Sequence, residues 1–175
     1  LASVGRPGGV VFCHSDSHIR EDECGGVEFL AVARLLGVDG RAGKLEPDGL
    51  SAALARFPGF VHSGQRIAIS ITQQTEAGTV YSPEEIRAIS SLARQHALPL
   101  HMDGARFANA LAHVGCSPAD VTWRSGVDAL SFGCIKNGGM NAEALLFFGD
   151  MPAGMPELRK RSGHLQSKGR FLAAQ

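Results

Sequence analysis

The sequence has no excess of charge of either sign: Lys and Arg number 17, and Asp and Glu number 17, in 175 residues. A chain without net charge has no long-range attraction for nucleic acid or for an anionic membrane surface. Its one basic cluster, Arg159, Lys160, Arg161 and Lys168, lacks interleaved aromatics and reads as a solvated or subunit-contact face. No apolar run approaches the roughly 20 residues that cross a bilayer. The opening residues show no leader pattern. The four cysteines, Cys13, Cys24, Cys116 and Cys134, have no CxxC spacing. They are expected to be reduced thiols in a cytoplasmic protein. Internal repeats and low-complexity tracts are also missing. What remains is 44% hydrophobic and 19% charged, the composition of a folded domain with a core of its own.

The elements follow from periodicity and capping. Residues 10–13 form a short apolar run, and residues 66–72 a longer β-branched one suited to a buried parallel strand. Further strands are expected over 98–102, 127–132 and 144–148. Helices are expected over 23–36, 47–57 and 107–114, with short ones ending near residue 4 and starting at Ser117. Ser82-Pro83-Glu84-Glu85 is a strong helix start, with Ser as cap, Pro first and Glu three residues after the cap. A long polar helix is expected over 152–175, broken near Gly163. Strands and helices alternate, which predicts one doubly wound α/β domain: three layers around a largely parallel sheet.

The chemistry concentrates between His101 and Gly139. LPLHMDGAR is an apolar run that ends in Asp103, Gly104 and Arg106, and DALSFGCIKNGG is a second that ends in Lys136 and glycines. A ligand in a parallel α/β sheet binds at the C-terminal ends of the strands. A lysine there is costly to keep charged, so its amine is readily freed to act as a nucleophile on an aldehyde. A carboxylate on the neighbouring strand can hold a pyridine nitrogen protonated, and an arginine can fork onto a substrate carboxylate. The three together suggest pyridoxal 5'-phosphate acting on an amino acid. The same residues also fit an Asp–Arg ion pair beside a solvated lysine.

HMDGARFANAL, TWRSGVDALSFGCIKNG and the tail RKRSGHLQSKGRFLAAQ resemble the low-specificity L-threonine aldolases. These are members of the β-eliminating lyase family among the fold-type I pyridoxal phosphate enzymes, and the similarity runs from near Val10 to Gln175. The resemblance implies the large domain of the aspartate aminotransferase-like fold over 1–175, incomplete. It implies cleavage of L-threonine, L-allo-threonine and related β-hydroxy-α-amino acids to glycine and an aldehyde. Lys136 is then the Schiff-base lysine, Asp103 the pyridine-nitrogen partner and Arg106 a substrate-carboxylate ligand. His18 falls where the family stacks a histidine on the ring. His62 falls near its second active-site histidine, and Glu76 in a loop beside the cofactor. The chain does not begin with Met and is expected to be an internal piece of a longer polypeptide. The family's Gly-Thr phosphate-binding turn and its small domain with a second carboxylate-binding arginine are not among these residues. A homodimer or homotetramer with shared sites is implied at full length.

Other readings compete for some of these residues. His14, Asp16 and His18 alternate and could hold a metal, with His62 or His101 completing the set, as in a metal hydrolase. A strand end with scattered polar groups accounts for them more simply than a metal does. Another β-elimination or a racemisation on the same cofactor is the nearer rival to aldol cleavage. His62 is otherwise a loop histidine, Glu76 a solvated loop carboxylate, and His101 a packed core histidine. Gly138 and Gly139 would let the backbone pass close to a cofactor, or simply turn. Ser131 and Asn137 stand near enough in sequence to touch a phosphate or the lysine, and the sequence does not choose.

Overall fold

A computed structural model describes residues 1–163. Six strands form one sheet in the order β2-β1-β3-β4-β5-β6: β1 (Gly9–His14), β2 (Ala33–Val38), β3 (Gln65–Thr72), β4 (Leu100–Asp103), β5 (Ala129–Gly133) and β6 (Glu143–Phe147). The first five are parallel, and β6 runs antiparallel to β5. The helices are α1 (His18–Glu21), α2 (Gly26–Ala31), α3 (Pro47–Ala55), α4 (Pro83–Gln95), α5 (Phe107–Val114) and α6 (Met155–Arg161).

The connection from β1 to β2 runs one way across the sheet, and those from β2 to β3, β4 and β5 run the other way. Right-handed crossovers therefore put α1 and α2 on one face and α3, α4 and α5 on the other, giving three layers. The α3–α5 face holds the main core. There Phe12, Ile69, Ile71, Leu100, Met102 and Leu130 of the sheet pack on Leu50, Leu54, Ile86, Ile89 and Phe107 of the helices. A smaller cluster of Val11, Ile67 and Ala68 packs with Leu1, Val4, Ala33 and Leu35. The strand order reverses between β1 and β3, and such a switch point opens a crevice at the C-terminal edge.

α4 starts as its sequence predicts. Ser82 Oγ accepts the Glu85 N–H and Glu85 returns a bond to the Ser82 N–H, with Pro83 in the first turn. Three expectations fail locally. The helix over 23–36 stops at Ala31, Val32 takes a left-handed φ of 50°, and ARLLGV becomes edge strand β2. A short apolar run at a sheet edge satisfies either period, so tertiary pairing decided it. The segment after Ser117 is a single turn in which the Ser117 and Asp120 side chains cap each other's backbone N–H groups. Residues 1–4 are a turn, with the Val4 N–H on the Leu1 carbonyl. Of the helix expected over 152–175 the described residues contain only α6, and residues 164–175, with Lys168, lie outside them.

Candidate active site

Asp103 closes β4, and Lys136 lies in the 3-10 turn Ile135–Asn137 just past β5. Both line one recess of about 210 Å³ with Ala105, Ser131, Gly133, Ile135 and Glu143. The lysine and the carboxylate therefore share one edge of the sheet. Asp103 accepts the Ala105 N–H through Oδ1 at 3.0 Å. Its Oδ2 has no hydrogen bond to the described residues, so one carboxylate oxygen is left for an occupant. Arg106 caps α5, half-buried, and has no ion-pair partner among the described residues. The Asp–Arg pair that the residues alone allowed is thus not formed.

Two glycines let the chain pack closely beside the recess. A Cβ at Gly104 would lie 2.5 Å from Leu130 Cδ1 and 3.0 Å from the Ser131 carbonyl oxygen, which the Gly104 N–H itself meets at 2.8 Å. DGAR needs its glycine because the backbone presses onto β5. A Cβ at Gly133 would lie 3.1 Å from the Glu143 carboxylate.

Asn137 fastens the lysine turn. Its Oδ1 accepts the Ala108 N–H at 2.7 Å, and its Nδ2 donates to the carbonyls of Gly133 at 2.5 Å and Ala105 at 3.1 Å. The sequence left this residue undecided. It binds the end of β5 to the start of α5, and so holds Lys136 against the turn that carries Asp103. Ser131 and Glu143 also line the recess, by register: Ser131 pairs with Asp103, and Glu143 pairs with Gly133 on the antiparallel strand. Neither pairing can be read without the strand boundaries.

The remaining candidates divide between the two edges. His18 opens α1 just past the C-terminal end of β1, with Nδ1 on the Glu23 carboxylate at 2.9 Å. Glu76 is exposed in the loop after β3. That loop is anchored by Gln73, fully buried and bonded both ways to the Tyr81 backbone, and by Thr75, whose hydroxyl meets Thr79 at 2.8 Å. His18 and Glu76 therefore stand on the same edge as Asp103 and Lys136. His62 does not. It precedes β3, so it sits at the N-terminal edge, in an open cleft of about 1130 Å³ with Gly8, Gly9, Arg34, Arg56 and Gly64. The expectation that placed His62 with the other site residues is corrected by strand direction: a residue ahead of a parallel strand lies at the opposite end from residues that follow its neighbours.

The metal reading loses its members. His14 is buried, with Nε2 donating to the Gly40 carbonyl at 3.1 Å and Nδ1 accepting the Asp16 N–H at 3.1 Å. Neither ring nitrogen is left for a metal. Among the described residues no group of three His, Cys, Asp or Glu side chains is placed to hold an ion. His101 is buried too, with Nδ1 2.8 Å from Ser70 Oγ and Nε2 2.9 Å from Ser131 Oγ, and burial pushes its imidazole down to about 3.

A family model described as "Beta-eliminating lyase" matches residues 1–174. The low-specificity L-threonine aldolase of Pseudomonas aeruginosa is 45% identical over 167 residues, covering 94% of this chain and 48% of that protein. A solved threonine aldolase of Leishmania major superposes with a TM-score of 0.80 at 30% identity, over 93% of this chain and 47% of the other. An aspartate aminotransferase of Thermus thermophilus superposes at 0.63 with 14% identity, over 93% of this chain and 40% of the other, a likeness of fold alone. The chain spans about half the length of these relatives. A match across nearly every residue, on the aminotransferase-like fold just described, places the chain in the β-eliminating lyase family.

Proposed function

We propose that the protein carrying this chain uses pyridoxal 5'-phosphate to cleave L-threonine, L-allo-threonine and related β-hydroxy-α-amino acids to glycine and an aldehyde. The observation that carries the reading is the meeting of Asp103 and Lys136 in one recess. The 45% identity to a low-specificity L-threonine aldolase supports the choice of reaction. The residues fit the cofactor chemically: a primary amine for its aldehyde, and a carboxylate oxygen without a protein partner for its ring N–H. When bound, the cofactor supplies an electron sink for the pair released from the breaking carbon–carbon bond.

This chain's residues do the rest. Lys136 holds the cofactor through Nζ. Asp103 Oδ2 keeps a proton on the ring nitrogen, because a carboxylate favours the charged form of its partner. Arg106, without an ion-pair partner, binds the substrate carboxylate and fixes its orientation. His18, held through Nδ1 by Glu23, would cover the ring face of the bound group, with Nε2 available to the substrate hydroxyl. Glu76, exposed in the loop after β3, would serve as a second proton acceptor. The same reading carries a cytoplasmic setting, small amino-acid substrates and a homodimer or homotetramer; no helix among the described residues is long and apolar enough to cross a membrane. The test is product analysis with the full-length protein, cofactor and L-threonine. Glycine and acetaldehyde in equal amounts are expected. 2-Oxobutanoate with ammonia, or D-allo-threonine, would reassign the reaction to elimination or racemisation.

A further inference from the structure

One face of the sheet carries a polar row across three strands: Ser70 on β3, His101 on β4 and Ser131 on β5. In this part of the sheet the opposite face is apolar, with Ile69, Ile71, Leu100, Met102 and Leu130. A buried imidazole is costly unless its nitrogens are bonded, and both are, to the two serines at 2.8 and 2.9 Å. Ser70 and His101 are buried, whereas Ser131 is half-buried and lines the recess.

The proton order in this row is determined by counting donors. A neutral imidazole has one N–H donor and one acceptor nitrogen. Ser70 Oγ has His101 Nδ1 as its hydrogen-bond partner among the described residues. A buried hydroxyl proton must go to an acceptor, so Ser70 donates to Nδ1. The imidazole proton then lies on Nε2 and is donated to Ser131 Oγ. Ser131 Oγ thus has its acceptor side filled from the protein interior, and its own O–H has no protein acceptor among the described residues. That proton points to the one place left, the recess beside Asp103.

We propose that Ser131 donates a hydrogen bond to an acceptor oxygen of the group bound in the recess, with His101 and Ser70 as positioning residues that fix the direction of that donation. The inference rests on the reading that Lys136 binds pyridoxal phosphate here. It adds a contact residue that the motif does not contain, and it gives a buried histidine, otherwise a packing residue, a role at a distance.

The test uses full-length protein stripped of cofactor. Pyridoxal phosphate affinity is read by absorbance titration, and the melting temperature of the cofactor-free protein is read beside it. Ser131→Ala should weaken binding about tenfold, the size of one lost hydrogen bond, while the cofactor-free melting temperature reports separately what it costs to leave the buried His101 Nε2 without its partner. His101→Leu should weaken binding by a similar factor. His101→Gln, whose amide can still donate toward Ser131, should recover most of it. In the Ser131→Ala background His101→Leu should add no further loss, because it acts through that hydroxyl. Pyridoxal lacking the phosphate locates the acceptor: a penalty that persists assigns a ring oxygen, and one that disappears assigns the phosphate. If His101→Leu does not fold, Ser131→Ala and Ser70→Ala decide the matter alone. Wild-type affinity in Ser131→Ala, or full additivity of the two changes, overturns the inference while leaving the cofactor reading intact. A wild-type protein that takes up no pyridoxal phosphate on Lys136 overturns both.

Discussion

The side chain of Asn137 accepts the backbone N–H of Ala108 at 2.7 Å, across 29 residues of sequence. With its Nδ2 on the Gly133 and Ala105 carbonyls, it joins the turn after β5 to the turn after β4. Lys136 precedes it directly, so the geometry between lysine and carboxylate depends on an amide that touches neither.

Asn137→Ala removes an acceptor and a forked donor and leaves backbone groups without partners. A loss of about 1–3 kcal/mol in stability is expected. Urea unfolding of the full-length protein measures it. Cofactor attachment to Lys136 should slow in the same variant, while Asn137→Ser, with a shorter polar side chain, should not restore it because it cannot span both turns.

Lys136→Ala should abolish the long-wavelength absorbance of bound pyridoxal phosphate and nearly all cleavage. Borohydride reduction and peptide mapping of the wild type should label Lys136. Lys44 is an unsuitable substitute, since its Nζ is held by the Glu85 carboxylate at 2.8 and 2.9 Å. A label on Lys44, Lys160 or Lys168 would remove the assignment.

Glu85 is the carboxylate whose acid titration should be visible in folding. Burial raises its pKa, but hydrogen bonds from Lys44 and from the Ser82 backbone outweigh that and hold it below the ordinary 4.5. A group depressed on folding contributes stability above its unfolded value and loses it as pH falls through the folded value. Stability should therefore drop more steeply on acidification below 4.5 in the wild type than in Glu85→Gln. Ser82→Ala, which removes the reciprocal half of the same cap, should cost about 1 kcal/mol at neutral pH.

Much of this arrangement was legible in the sequence. The β-branched run of β3, the cap at Ser82 and the DGAR turn each rest on local chemistry, and each appears where its residues put it. So does the joint placement of Asp103 and Lys136, because both follow apolar strands of a parallel sheet. What stayed hidden depends on register and on the chain's path. ARLLGV turned out to be a strand because β1 was there to pair with it. Ser131 and Glu143 became part of the recess through pairing with Asp103 and Gly133. His62 was misplaced because nearness in a family's motif order says nothing about which end of a strand a residue occupies.

His14 and His18 should separate cleanly. They stand four residues apart in HSDSH, the stretch that suggested either a stacked ring or a metal. A strand end with scattered polar groups would make His14→Ala nearly silent. The structure changes that expectation for stability. His14 is 7% exposed, and its ring spans the Gly40 carbonyl and the Asp16 N–H. Removing it leaves two backbone groups and a cavity, so a loss of about 1–3 kcal/mol is expected, without a change in the absorbance of the bound cofactor. His18 is half-buried at the C-terminal edge, and its ring is held by Glu23. His18→Ala should leave the melting temperature of the cofactor-free protein nearly unchanged. It should shift the absorbance of the bound cofactor and weaken its binding, since a stacked imidazole contributes on the order of 1 kcal/mol. Melting curves with and without pyridoxal phosphate, beside a spectrum of each variant, test both halves. Equal loss of cofactor absorbance in the two variants, reversed by zinc, would revive the metal reading instead.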